Sequence, residues 1–185
     1  MAGEQQQLPP EVWATFCSAI NQDSVRSLIN GAANGTQRGV KHLHLLFQST
    51  GGNVSDGIAL YNFLKTSPLE ITLYNCGAVQ SVAAIAYLAA KHRKTSARAT
   101  FMYHRVTGTA QSVQAHRLKF LAKTVSIDDQ RLESIMREHI DMPEENWASL
   151  DLSDLWFTAE EAVKAKIADE IGEFAPPVGS VLSNL

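Results

Sequence analysis

The spacing of apolar positions changes several times along the chain, and each change marks an element. Residues 12–20 (VWATFCSAI) have the aromatic and β-branched content of a strand, and residues 22–33 carry Val25, Leu28 and Ile29 at helical spacing. Gly35 and Gly39 then punctuate a second predicted strand over residues 42–48 (HLHLLFQ). A helix is predicted over 54–65, where Ile58, Leu60, Tyr61, Phe63 and Leu64 form a wide apolar face, and a third strand over 69–75. The next helix opens at Ser81 and runs to about Lys91, and a short strand is predicted over 100–103. Strand and helix in alternation imply parallel strands joined by right-handed crossovers, hence an α/β fold. Such folds set their sites where the C-terminal ends of strands meet helix N-termini.

After residue 103 the pattern lengthens. Residues 109–142 contain neither Gly nor Pro, and Leu118, Leu121, Val125, Leu132, Ile135 and Met136 recur at helical spacing. One helix of about thirty residues would reach roughly 45 Å, more than a globule of this size needs internally, so part of it is expected to project and pack on another chain. If the face that carries Leu121 and Val125 is the interfacial one, charges placed there are expected to disperse that assembly. The alternative is two helices broken near residues 126–129, with Ser126 as a cap.

Composition narrows the class. The chain has 185 residues, 45% of them hydrophobic, with no compositional break, so one domain over 1–185 is expected. Residues 1–11 read as a flexible polar start without the features of a secretory signal, and the longest apolar run, residues 82–90, is about half the length of a membrane span. Two cysteines cannot make a disulfide framework. On these grounds the chain is expected in the cytoplasm, with no membrane partner. A net charge of −3 and no basic stripe give no footprint for nucleic acid.

The candidate chemistry sits in two strand-turn-helix junctions. Ser49-Thr50-Gly51-Gly52-Asn53 follows the second strand, and its glycines allow a sharp turn with exposed N–H groups beside a helix N-terminus. Gly77-Ala78-Val79-Gln80-Ser81-Val82 follows the third strand. Ser81 there can act as a helix cap. Taken alone that is the simpler reading; with a base and an oxyanion site supplied elsewhere in the chain it would be a nucleophile at the strand edge, with the Val82 N–H available to an oxyanion. A serine nucleophile needs a base. Of six histidines, His42 and His44 alternate on a strand without a third metal ligand at useful spacing, His92 lies in a basic tract that reads as solvated, and His116 and His139 read as helix surface. His104 ends a strand, where an α/β site wants its base.

These residues resemble the proteolytic-subunit family of the Clp protease, in the crotonase-like superfamily. The family's Ser-Pro-Gly-Gly turn, serine turn, Met-Ile-His strand and Asp-Arg-Phe-Leu/Met-Ser/Thr-Ala segment are matched in order by residues 49–52, 77–83, 102–104 (Met-Tyr-His) and 154–159 (Asp-Leu-Trp-Phe-Thr-Ala). Residues 161–163 and 167–171 resemble its closing helix and strand, so the likeness spans about residues 12–173. It implies a core of repeated β-β-α units in a spiral, with residues 109–142 as the protruding handle helix.

The resemblance further implies Ser81 as nucleophile, His104 as general base and then acid, and Asp154 as the group that orients the imidazole. The N–H groups of Gly52 and Val82 would form the oxyanion hole, with no metal and no cofactor. The expected activity is that of a serine endopeptidase acting on peptides or unfolded protein inside a homo-oligomeric ring, a heptamer or tetradecamer. The chain departs from the family at Thr50, Gln80, Val82, Arg105 and Val106, and Gln80 and Arg105 place bulk beside the catalytic groups. Because residues 1–11 are shorter than the family's axial loop, short peptides are expected to be cleaved without ATP and with little stimulation by a Clp ATPase. Two other readings stand beside this one: a scaffold whose triad is misaligned, and a crotonase-type enzyme acting on an acyl-CoA thioester, which would not need the serine.

Overall fold

The computed structural model describes residues 7–109 and 114–185. Of the flexible start expected over residues 1–11, residues 1–6 lie outside the described residues, as do residues 110–113 of the expected long helix. From Leu8 on the chain is tied down. The Leu8 N–H donates to the Arg38 carbonyl at 2.9 Å, Leu8 packs on the core, and the Pro10 carbonyl accepts from Lys41 and His42.

Strands β1 (Glu11–Cys17), β2 (His42–Gln48), β3 (Glu70–Asn75), β5 (His92–Thr95), β8 (Glu170–Ile171) and β9 (Leu182–Asn184) form one sheet in the order β8-β5-β3-β2-β1-β9. All its pairings are parallel. A second sheet has the order β4-β6-β7, from β4 (Ala78–Gln80), β6 (Thr100–Tyr103) and β7 (Leu155–Thr158), with β7 antiparallel. The helices are α1 (Gln22–Gln37), α2 (Val54–Thr66), α3 (Val82–Tyr87), α4 (Ala115–His139), α5 (Glu144–Ser149) and α6 (Ala159–Lys164). Twice the chain gives one strand to the large sheet, one to the small sheet and then a helix, as β3-β4-α3 and β5-β6-α4. Isolated bridges Ile20↔Gly52 and Ser49↔Val79 continue that second layer where the earlier turns are too short for a strand.

The period-2 pattern of β2 explains its placement. Leu43, Leu45 and Phe47 are buried in the core, where Phe47 stacks on Phe16 at 5.1 Å. Burial of side chains of this size contributes about 1.5–3 kcal/mol each. On the other face, His44 lies between Trp13 and His42, with ring centroids 4.1 and 4.0 Å away, and its Nδ1 is 2.9 Å from the Tyr74 hydroxyl. Among the described residues, no group of three His, Cys, Asp or Glu side chains is arranged to hold a metal.

Burial and then the neighbouring His42 push the His44 pKa down to about 4, with Glu11 and Glu70 acting against that shift and Lys94 with it. Its folded pKa is below the unfolded value near 6.5, so the unfolded chain binds more protons between the two. This contribution to stability is complete above about pH 6.5 and is lost as pH falls to about 4. The melting temperature is expected to fall across that window, and His44→Gln to flatten the slope. An unchanged slope in the variant would place the acid sensitivity elsewhere.

Three expectations are corrected. The basic tract enters strand β5 from residue 92 on: His92 is exposed as expected, 3.0 Å from Glu70, but Arg93 and Lys94 are partly buried against Asp169 at 2.7 Å and Glu170 at 2.8 Å rather than solvated. The helix expected from Ser81 to about Lys91 ends at Tyr87, after which Leu88, Ala89 and Ala90 turn through i to i−3 bonds. His139 is not surface: its Nε2 lies 2.9 Å from the Tyr61 hydroxyl, and burial holds its pKa below the ordinary imidazole value.

The long helix α4 runs 25 residues without a break at Ser126, about 37 Å at 1.5 Å per residue. Its buried residues, Leu132 and Met136, both lie in the C-terminal half, so the N-terminal half stands away from the core. A Cβ on Gly108 would meet Leu121 Cδ1 at 3.2 Å and Val125 Cγ2 at 3.0 Å, so these two face the chain's own loop. The outward apolar residues are Leu118, Phe120 and Ile127. No described helix is long and apolar enough to cross a membrane.

Candidate active site

The ends of β2, β4 and β6 converge on Ser81. Ser49 N–H donates to the Ala78 carbonyl, Gln80 N–H to the Ser49 carbonyl and Ser81 N–H to the Met102 carbonyl, at 3.2, 2.9 and 2.8 Å. These bonds hold Ser81 at φ 55°, ψ −136°, a conformation that costs a non-glycine residue about 1–3 kcal/mol and persists only where its surroundings impose it. Ser81 stands at the N-terminus of α3, yet its side chain makes no capping bond. Its Oγ lies instead 2.8 Å from His104 Nε2. The helix-cap reading therefore fails on geometry.

The Gly51-Gly52 turn lies against this serine. Gly51 has φ 94°, and a Cβ there would come within 2.6 Å of Ser81 Cβ. At Gly52 a Cβ would run into the Ile20 carbonyl, which already accepts from Asn53 N–H at 2.8 Å. Only glycine fits either position. Among the described residues, neither the Gly52 N–H nor the Val82 N–H is taken up by a hydrogen bond. Val82 itself is buried.

His104 and Asp154 lie just past the β6–β7 ladder. Its antiparallel register pairs Met102 with Trp156 and Tyr103 with Leu155, and one further step sets His104 opposite Asp154. The side chains do not meet. Asp154 is exposed, and among the described residues its carboxylate accepts no hydrogen bond. The structure thus joins Ser81 to His104 and leaves Asp154 beside them, unengaged.

Sequence reading missed what holds the strand end after His104. Arg105 donates to Glu133 on α4 and to Asp151, both at 2.7 Å, and Val106 N–H donates to Asp129 at 2.7 Å. Gln80 shares the more open side of the small sheet with Met102 and Trp156, opposite the buried Val79, Phe101 and Phe157. No local signal marks the Arg105 contacts, since the partners lie 28 and 46 residues away in sequence.

A two-layer α/β chain with a strained serine on an imidazole at a strand-turn-helix junction defines a narrow class, and comparison with known proteins names it. The Clp protease family model matches residues 15–174, and the chain belongs to that family. It is similar to ATP-dependent Clp protease proteolytic subunit 2 of Corynebacterium diphtheriae, 28% identical over 141 residues, covering 73% of this chain and 68% of the relative. With ATP-dependent Clp protease proteolytic subunit 3 of Rhizobium etli the identity is 25% over 145 residues, covering 77% and 74%. Its fold matches a mutant ClpP1 from Listeria monocytogenes with a TM-score of 0.76 at 21% identity, over 87% of this chain and 91% of that one.

Proposed function

We propose that the chain is a serine endopeptidase acting through Ser81, His104 and Asp154. The observation that carries this reading is the 2.8 Å approach of Ser81 Oγ to His104 Nε2, with the serine held at positive φ and free of a capping role. The imidazole takes the hydroxyl proton as Oγ attacks a peptide carbonyl, then returns a proton to the leaving amine; water, activated the same way, releases the acyl group. The unpaired N–H groups of Gly52 and Val82 support a role as oxyanion donors, where one such bond is worth on the order of 10²–10³ in rate. The substrate class is peptide or unfolded protein, and no step needs a cofactor. The outward apolar side of α4 supports assembly into a ring of identical chains, with the sites inside its chamber.

A second reading, a catalytically silent scaffold of the same family, is favoured by the exposed carboxylate of Asp154. Treatment with a fluorophosphonate separates the two. The peptidase takes up one equivalent, seen by intact mass and mapped to Ser81, whatever its natural peptide. A folded chain that stays unlabelled from neutral to mildly alkaline pH is the scaffold.

A further inference from the structure

Arg105 directly follows His104, and its guanidinium is shared by carboxylates on two separate elements. Nη1 donates to Glu133 Oε2 on α4 at 2.7 Å, while Nε and Nη2 grip Asp151 Oδ1 at 2.7 and 2.6 Å. Glu133 also accepts from Arg137 Nε at 2.8 Å, and Arg137 reaches Glu144 while lying 4.5 Å from the Trp147 ring centroid. The inner pair is shielded, with the side chains of Arg105 and Glu133 29% and 27% exposed. Burial works against the charge on Arg105, but the bonds to Glu133 and Asp151 outweigh it and hold its pKa above the ordinary value. Linked charges of this kind hold geometry better than isolated surface pairs.

What this cluster holds is the stretch that carries Asp154. Leu150 is buried on one side and Leu155 enters β7 on the other. Residues 151–154 between them are exposed. Ser153 Oγ and the Leu152 and Ser153 N–H groups only turn back to the Ser149 carbonyl at the end of the adjoining α5, whereas Asp151 bonds by its side chain to Arg105, 46 residues away in sequence. The geometry points to Arg105 as a positioning residue: by gripping Asp151 it sets where the Asp154 loop lies relative to His104, and by gripping Glu133 it ties that placement to α4. This rests on the reading of Ser81, His104 and Asp154 as a triad. Asp151 is 65% exposed, so the pair adds little to global stability. An error of about 1 Å in the placement of a catalytic group, by contrast, can cost on the order of 10² in rate.

The test measures the second-order rate of fluorophosphonate labelling for the full chain and its variants, with hydrogen exchange followed across residues 150–156. Arg105→Gln and Asp151→Asn are each expected to slow labelling by roughly 10- to 100-fold, and to add less than about twofold in an Asp154→Asn background, because groups that act through one another are non-additive. Exchange across the loop should rise in both variants while the melting temperature barely moves. Equal losses with and without the Asp154 carboxylate, or no loss, would overturn the assignment. If the unmodified chain takes no label, the triad reading falls, and the exchange arm still decides on Arg105: an unchanged loop in both variants refutes its role.

Discussion

Ser81→Ala and His104→Ala are each expected to abolish peptide turnover, and Asp154→Asn to keep the fold while losing on the order of 10⁴ in rate, as removal of an orienting carboxylate does elsewhere. The first two follow from a single contact, the 2.8 Å approach of Oγ to Nε2, since neither group has another partner among the described residues to take over its task. The fold should survive Ser81→Ala because the serine caps nothing. Combining Ser81→Ala with His104→Ala should cost no more than either alone, because the two act as one unit. The Asp154 variant is the more informative, given a carboxylate opposite His104 in register but not bonded to it. Hydrolysis of a fluorogenic peptide by all four variants reads these outcomes. A rate untouched by Asp154→Asn would mean that Ser81 and His104 work as a dyad.

The second large effect concerns assembly. Phe120→Glu is expected to shift sedimentation from an oligomer toward the 20.2 kDa chain, with circular dichroism unchanged. Phe120 is 69% exposed on the projecting half of α4, and the exposed Ile127, two turns on, lies on the same side of the helix. Burying a phenylalanine against a partner contributes about 1.5–3 kcal/mol. Replacing it with a carboxylate removes that gain and adds a desolvation cost of several kcal/mol, repeated at every equivalent contact of a symmetric assembly. The earlier expectation for Leu121 and Val125 no longer holds, because both pack toward Gly108 of their own chain. A monomer in the unsubstituted protein at micromolar concentration would refute the assembly itself.

The sequence announced elements whose apolar period is unambiguous. Strand β2 was expected with the bounds it has, and α2 within one residue, because alternation in one and a wide apolar face in the other leave no competing assignment. Strands β4 and β5 escaped for opposite reasons. Ala78–Gln80 is three residues long and hides inside a turn signature, while His92–Thr95 looks solvated until Glu70, Asp169 and Glu170 arrive from distant segments. At the site, the glycine turn and the histidine were readable because each ends a predictable strand, and the serine because it opens the apolar run of residues 82–90. The state of Asp154 was not, since it depends on where a four-residue exposed stretch lies in space, and residue identity does not specify that.

The positive φ of Ser81 also limits how this position could change over time. A thiol has the shape of a hydroxyl side chain and no branch at Cβ, so cysteine can occupy a backbone at φ 55° as serine does. Threonine cannot do so cheaply, because a β-branched residue is a steric outlier at such angles. A serine-to-threonine exchange, often considered conservative, would therefore have to rebuild the junction between β4 and α3 before its hydroxyl could reach His104. With Ser81 as the proposed nucleophile, backbone shape, more than the chemistry of the attacking atom, decides which residues are open to the chain at this position.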